Sequence, residues 1–253
     1  MKFRRIFCIM LFSLCLILIS VPALVNANTD LITAADELYA KRINPENVQK
    51  AINLLKQAAT ENPKNSGALW RLARLYWVLG DRAAVKKEKI DYFTQGQEYA
   101  RQATEANPNE LLGHYWLASL IGSLGDAKGI LQSLFMVKPM KNELDICIKL
   151  DPKFAGAHDV LAQLYWLAPG PPLSIGNKKL ALEEIKLAVA YNPSSIEFQL
   201  HLGQIARDNK DFTLAREAFQ QALSLPDDPE DPEASKKFKA TATEELKKLD
   251  NKK

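Results

Sequence analysis

The chain predicts an all-α array of stacked helix pairs, and three observations lead there. Four segments, "LWRLARLYWVLGD", "HYWLASLIGSLGD", "HDVLAQLYWLAPG" and "QLHLGQIARDNKD", align without gaps. A second set, "AINLLKQAATENP", "GQEYARQATEANP", "MKNELDICIKLDP" and "ALEEIKLAVAYNP", precedes them one by one and ends each time in Asn-Pro or Asp-Pro. In both sets apolar residues recur three and four apart, the period of a helix with one buried face. Self-similarity of this kind marks a solenoid, in which each unit buries its apolar face only against its neighbours.

The first set defines helix A of each repeat and the second defines helix B. Helix A carries a leucine followed by a small residue: Leu72-Ala73, Leu117-Ala118, Leu161-Ala162 and Leu202-Gly203. Tyr76, Ile121, Tyr165 and Ala206 follow four residues after each leucine. In helix B, Ala58, Ala103, Cys147, Ala188 and Ala222 share one position, where a small side chain lets helices approach closely. Cys147 therefore reads as a small packing residue and not as a reactive thiol. Helices at about 30–42 and 233–249 are expected to cap the open ends, as repeat arrays require; "PDDPEDPE" reads as the linker into the second.

The opening stretch, "MKFRRIFCIMLFSLCLILISVPALVNANTD", has the layout of an export signal. Lys2, Arg4 and Arg5 form a charged start, Ile6 to Ile19 an apolar core, and Val25-Asn26-Ala27 a cleavage site of small residues. The alternative is an uncleaved anchor, since Ile6 to Val25 is just long enough to span a bilayer. Leu14 before Cys15 excludes a lipoprotein box. Removing residues 1–27 lowers the formal charge from +3 to 0, so the basic balance belongs to the signal and gives no reason to expect nucleic acid. Cys147 is then the only cysteine, and residues 28–253 must fold on a hydrophobic core without a disulfide.

Spacing shows where the repeats differ. Each proline (63, 108, 152, 193) precedes the next leucine by nine residues, and each helix B runs twelve residues from its opening small residue to its proline. All length variation falls between A and B. Leu202 to Ala215 is 13 residues, whereas the corresponding intervals are 24, 23 and 20, which places 11, 10 and 7 extra residues at one location in three consecutive repeats. Equivalent connections in a stacked array lie along one edge, and insertions gathered there commonly mark a binding side. The first insertion reads as a forward extension of helix B. The second, "AKGILQSLFMVKPM", is apolar; as a surface loop it would form an exposed patch unless it packs on the array or receives a ligand. The third, "APGPPLSIGN", reads as a rigid turn: Pro169 ends helix A, Pro171 and Pro172 stiffen the path, and Asn177 caps the next helix. Gly170 and Gly176 are expected to supply conformations other residues resist.

The pattern of Leu-Gly/Ala, Tyr, Ala, Phe, Ala and Pro resembles the tetratricopeptide repeat (TPR), most fully at Leu202, Gly203, Asp211, Phe212, Ala215, Phe219 and Ala222. That resemblance, over about residues 45–226, implies a right-handed superhelix of about four antiparallel helix pairs with a concave groove. Positions two before, two after and five after each leucine share one helix face, which in the resembled family lines that groove. These are Trp70, Arg74 and Trp77; Tyr115, Ser119 and Gly122; Asp159, Gln163 and Trp166; Leu200, Gln204 and Arg207. With Phe135 and Pro171 from the insertions, they are the candidate binding residues. Aromatic rings between two arginines suit an extended peptide or an apolar ligand bearing a carboxylate. The other reading of Trp77 and Trp166 is that they pack beneath the insertions. A deep apolar cavity between Trp77, Trp166 and Phe135 would favour a small ligand; an open groove would favour a peptide.

His114 and His158 hold equivalent positions on the packing face, and His201 sits close to the matching position of its repeat. With no ligand-spaced Cys/His cluster to complete a metal site, they read as histidines buried at helix contacts. Neither a metal nor a cofactor is expected. Nothing resembles a nucleophile elbow, a phosphate loop or a paired-carboxylate site, so no catalytic function is expected.

Two longer strings narrow the resemblance. "GHYWLASLIGSLGDAKGILQSLFMVKPMKNELDICIKLDP" and "LYWLAPGPPLSIGNKKLALEEIKLAV" look like exported bacterial TPR proteins similar to the T component of tripartite ATP-independent periplasmic transporters. That likeness implies a periplasmic accessory protein able to form a homo-oligomer and to dock a periplasmic solute-binding protein for organic acids or apolar ligands. The tail "ALSLPDDPEDPEASKKFKATATEELKKL" resembles the end of the regulator of microtubule dynamics family. The expectation is thus an exported adaptor, periplasmic or extracellular, that binds a protein or peptide partner through its groove and the edge carrying the insertions. The second expectation is a small-ligand accessory of solute uptake.

Overall fold

In the computed structural model, residues 21–250 are described, and most of the expected export segment lies outside them. The described residues form eleven α-helices. In chain order they are α1 (Val21–Ala40), α2 (Pro45–Glu61), α3 (Ser66–Arg82), α4 (Lys86–Ala106), α5 (Leu111–Lys128) and α6 (Ile130–Leu150). They continue with α7 (Ala155–Leu167), α8 (Lys178–Tyr191), α9 (Ile196–Asp208), α10 (Phe212–Ser224) and α11 (Pro232–Asp250). Consecutive helices pair as α1–α2, α3–α4, α5–α6, α7–α8 and α9–α10, and α11 packs across α9 and α10. The array therefore holds five pairs, one more than the repeat alignment implies, because α1 takes the part of a helix A for α2 instead of standing alone as a cap. No helix among the described residues is long and apolar enough to cross a membrane.

The repeat positions behave as their spacing requires. The small residues of helix B (Ala58, Ala103, Cys147, Ala188, Ala222) and the alanines after each leucine (Ala73, Ala118, Ala162) are fully buried. Burial pushes the Cys147 thiol up to about 12, which makes it a packing group and a poor nucleophile. Side chains cap the helices where the sequence places Asn, Ser or Asp: Asn44, Asn65, Asn177, Ser195 and Asp211 each accept from backbone N–H groups of the first turn.

The histidines tie repeats together by one repeated device. His114 meets the Pro108 carbonyl at 3.0 Å through Nε2 and Glu143 at 2.5 Å through Nδ1. His158 meets the Pro152 carbonyl at 3.0 Å and Glu184 at 2.7 Å in the same way. Each imidazole spans the end of one helix B and the middle of the next, and only a doubly protonated ring can donate to both acceptors. Burial pulls His114 down, but Glu143 and the Pro108 carbonyl outweigh it and the pKa rises; Glu184 leads in raising His158. In the fourth repeat Gln199 holds the matching position and donates to the Pro193 carbonyl at 3.4 Å.

The three insertions lie side by side. Ile90 and Phe93 of α4 share a core cluster with Met136 and Met140 of α6. Met140 and Val137 share the next cluster with Ala168 and Ile175 of the third turn. The first insertion is the forward extension of helix B that its sequence suggests. The second is no loop: α5 runs on to Lys128, only Gly129 interrupts, and α6 begins at Ile130 with Pro139 inside it. Gly129 has φ 109°, which favours glycine.

The third insertion is the only long non-helical connection of the three. It closes on itself, with Gly176 N–H donating to the Pro169 carbonyl at 2.9 Å and Asn177 N–H to the Tyr165 carbonyl at 2.8 Å. Neither Gly170 nor Gly176 has a left-handed φ, so the expected conformational role is not what selects them. A Cβ on Gly176 would fall 1.9 Å from the Ala168 carbonyl oxygen, so close approach demands glycine there, whereas Gly170 has room. Gly176→Ala is expected to break both closing hydrogen bonds. Hydrogen-exchange protection of the Gly176 and Asn177 amides should fall about tenfold, the scale of one to two such bonds, with the rest of the array unchanged.

The two ends of the array also touch. Arg42, between α1 and α2, reaches Glu230 at 2.9 Å and Asp231 at 3.7 Å in the linker before α11. The Arg42 carbonyl accepts from Arg82 at 2.7 Å.

Candidate functional site

The groove face of the A helices carries a cleft of about 680 Å³, open to solvent on one side. Helices α3 and α5 supply an aromatic wall of Trp77, Tyr115 and Trp116. The rings of Trp77 and Trp116 lie 5.8 Å apart and those of Tyr115 and Trp116 5.3 Å apart. Trp77 is held by donating its indole N–H to Ser123 Oγ at 3.0 Å. Ser119 and Gly122 of α5 leave the space between the rings and the far wall. That wall is the forward part of α6, with Leu134, Met136, Val137 and Met140. Leu167 and Pro169, at the end of α7 and the start of the third turn, complete the rim. The second and third insertions thus form part of the cleft, and the first supports it from beneath through Phe93.

Asp159 and Gln163 of α7 and Glu197 of α9 form the acidic floor, and Asp126 of α5 adds a further carboxylate. Asp159 is buried; one oxygen meets His201 Nδ1 at 2.7 Å and the other accepts from Gln163 at 2.8 Å. Glu197 makes no side-chain hydrogen bond among the described residues. Burial, with the Asp159 charge adding to it, pushes Glu197 up to about 7. Burial pulls His201 down, but Asp159 outweighs it and the imidazole pKa rises. Burial also raises Tyr115, helped by Glu197 and Asp159, and burial alone raises Asp126. Asp159, Glu197 and His201 bring one ligand atom each within 4.8 Å of one another. Among the described residues, no lysine or arginine lines the cleft. Aromatic walls over carboxylates accept cations and hydrogen-bond donors and repel anions.

Of the residues singled out by spacing, Trp77, Tyr115, Ser119, Asp159 and Gln163 come together here, with Gly122. The others do not. Trp70 is buried, with the Arg71 guanidinium 4.2 Å above its ring. Arg74 binds Asp36 at 2.9 Å and lies 3.5 Å over the Tyr39 ring. Arg207 pairs with Asp208 and with Glu245 of α11. The two groove arginines therefore fasten the terminal helices α1 and α11 to the array, and neither is free for a ligand carboxylate. Trp166 donates to Asp208 at 2.9 Å, away from the cleft. Phe135 is 77% exposed, because the helical path of α6 turns it outward while Met136 and Val137 turn in. Pro171 is exposed in the third turn.

Spacing alone missed Glu197, Trp116, Asp126 and the α6 wall. Glu197 did carry a signal: it stands where the other three repeats have Gly67, Leu112 and Gly156, and a lone carboxylate at a small or apolar repeat position departs from packing needs.

The family model for "Regulator of microtubule dynamics protein 1-3" matches residues 31–166, more than half of the chain. The chain belongs to the regulator of microtubule dynamics protein 1-3 family. A tetratricopeptide repeat model matches residues 173–232, so the family segment and the repeat segment together run from the second half of α1 through α10. Regulator of microtubule dynamics protein 1 of Bos taurus is 28% identical over 140 residues, covering 55% of this chain and 42% of the bovine protein. The Caenorhabditis elegans protein of the same name is 24% identical over 208 residues, covering 76% of this chain and 88% of the relative. The chain thus spans less than half the length of the bovine relative and most of the nematode one. Among solved structures, a thermophilic TPR protein of Thermus thermophilus superposes with a TM-score of 0.65 at 19% identity, covering 86% of this chain and all of that one. MamA of Desulfovibrio magneticus gives 0.52 at 17% identity, covering 78% of this chain and 95% of that one. These likenesses establish the TPR fold. The cleft lies within it, and its α5 and α6 walls fall inside the family segment.

Proposed function

We propose that this chain is a TPR adaptor that binds a protein or peptide segment in its groove, with the cleft as the anchoring pocket. The observation that supports this most is the composition of the cleft: three aromatic rings and an apolar helix wall, open along the groove, at the edge where three repeats are lengthened. A partly open apolar cleft with a few polar groups suits a side-chain anchor on an extended segment. The carboxylates on its floor argue against the organic-acid ligand of a solute-uptake accessory. Export through residues 1–27 belongs to the same proposal. The single cysteine among the described residues is buried, which is compatible with an oxidising compartment, since it needs no disulfide and exposes no thiol.

The test is site-specific photocrosslinking in native extract, with a benzophenone amino acid at Ser119 in the cleft or at Lys149, exposed on the outer helix α6. A discrete partner should be captured from Ser119 alone. Excess native protein should compete it away, and excess S119W, whose indole fills the cleft, should not. Equal capture from Lys149, or full competition by S119W, would end the groove reading.

A further inference from the structure

We propose that the floor of the cleft receives the ammonium or guanidinium group of a lysine or arginine side chain on the partner segment, with apolar residues flanking it against the α6 wall. This rests on the groove reading above and specifies what the groove selects. Three observations carry it.

The first is charge. Asp126, Asp159 and Glu197 line the cleft, and among the described residues no lysine or arginine does. His201 is paired with Asp159 at 2.7 Å and is shared electrostatically with Glu197, so three carboxylates have one imidazole between them. The second is hydrogen bonding. Glu197 is only half-buried: its carboxylate lines the open cleft and has no donor among the described residues, so its acceptor capacity is left for a ligand. A cationic head would supply both the charge and the donors. The third is the wall. Trp77, Tyr115 and Trp116 line the cleft together with the floor carboxylates, and aromatic rings attract a cation and cover its alkyl stem.

A bare divalent cation is the rival occupant, held by Asp159, Glu197 and His201. It fits less well. Both Asp159 oxygens are already engaged, by His201 and Gln163, and His201 Nδ1 is spent on Asp159. An ion would also leave the aromatic wall and most of a 680 Å³ cleft unused. An anionic ligand would face three carboxylates.

The experiment uses the full chain and three blocked tripeptides: leucine–lysine–leucine, leucine–norleucine–leucine and leucine–glutamate–leucine. Binding is followed by the NMR signals of the Trp77 and Trp116 indole N–H groups. The lysine peptide should bind about tenfold or more tightly than the norleucine peptide, the scale of a charge-assisted hydrogen bond, and the glutamate peptide most weakly. E197Q should remove most of that preference. D126N, at the solvent-exposed side of the cleft, should reduce it less and serves as the second variant. Affinity for lysine should rise with pH through about 7 as Glu197 ionises. Asp81 of α3, Asp126 and Tyr115 of α5, and Asp159 of α7 are the other titratable groups facing this floor.

Equal affinity for lysine and norleucine, or a preference that survives E197Q, overturns the inference; binding of both in the cleft would leave the groove reading standing. Failure of all three peptides to move either indole signal also overturns it, and the crosslinking result then decides the groove reading separately. Zinc that binds without peptide, and is lost in E197Q, would assign the floor to a metal and overturn it as well.

Discussion

Replacing Glu197 by glutamine is expected to stabilise the fold at pH 8, by about 1–3 kcal/mol, and to change little at pH 4. The folded pKa of Glu197 is about 7 and its ordinary value 4.5. Between those values the folded chain holds a proton that the unfolded chain has released, so native stability falls as pH rises from about 4.5 to about 7 and stays low above it. A tenfold difference in proton affinity between the folded and unfolded chain corresponds to about 1.4 kcal/mol, discounted here because one side of the carboxylate meets water in the cleft. Glutamine mimics the protonated form and removes the loss. Urea unfolding of both proteins at the two pH values measures the effect. A glutamine variant less stable than native at pH 8 would mean that the carboxylate has a stabilising donor. A substitution that strengthens the fold while weakening peptide selection is the signature of a residue kept for binding. The raised histidines act in the same direction. Their contributions are present below their ordinary value of 6.5 and are lost as pH rises through their elevated folded values. The lowered carboxylates Asp36, Asp208 and Glu245 oppose them, since their contributions are lost as pH falls. Maximum stability is therefore expected on the mildly acidic side.

Phe219→Ala is expected to cost about 3–5 kcal/mol in the C-terminal third of the molecule, the usual scale for emptying a buried aromatic site. Phe219 is fully buried in the cluster that joins α9, α10 and α11. Its ring lies so close to Gly203 that a Cβ there would come within 2.3 Å. Because a repeat array transmits stability through neighbouring units, hydrogen exchange should accelerate in α9 to α11 and barely change in α1 to α4. A uniform loss across the chain would contradict that picture. Gly203→Ala should be less damaging in the Phe219→Ala background than in the native protein, since the missing ring leaves room for the added methyl.

Much of this architecture could be read from the repeats because helical packing repeats with them. The Leu-small pairs, the buried cysteine at an alanine position and the run of elongated connections all follow from which atoms must approach across a helix contact. The site was only partly legible, for a physical reason. Facing positions on helix A identify a surface and say nothing about what its charged residues meet. Arg74 is claimed by Asp36, 38 residues earlier in α1, and Arg207 by Glu245, 38 residues later in α11; both partners lie outside the repeats that defined the positions. Phe135 failed differently. Treated as part of a loop, its segment has no face, whereas on α6 a rotation of about 100° per residue decides which side chains enter the cleft. Gly176 is constrained by a carbonyl oxygen of Ala168 and not by its φ, a contact that exists only once the turn closes.

The contact of Arg42 with Glu230 and Asp231 changes how the molecule can come apart. A row of units joined only to adjacent ones frays from either tip, like a zipper with two free tabs. Latching the first bend to the final linker turns the row into a bracelet with a weak clasp, which adds a small cost to peeling at either tip. Removing the clasp, by Arg42→Ala, is expected to speed hydrogen exchange slightly at both tips and to leave the middle repeats unchanged.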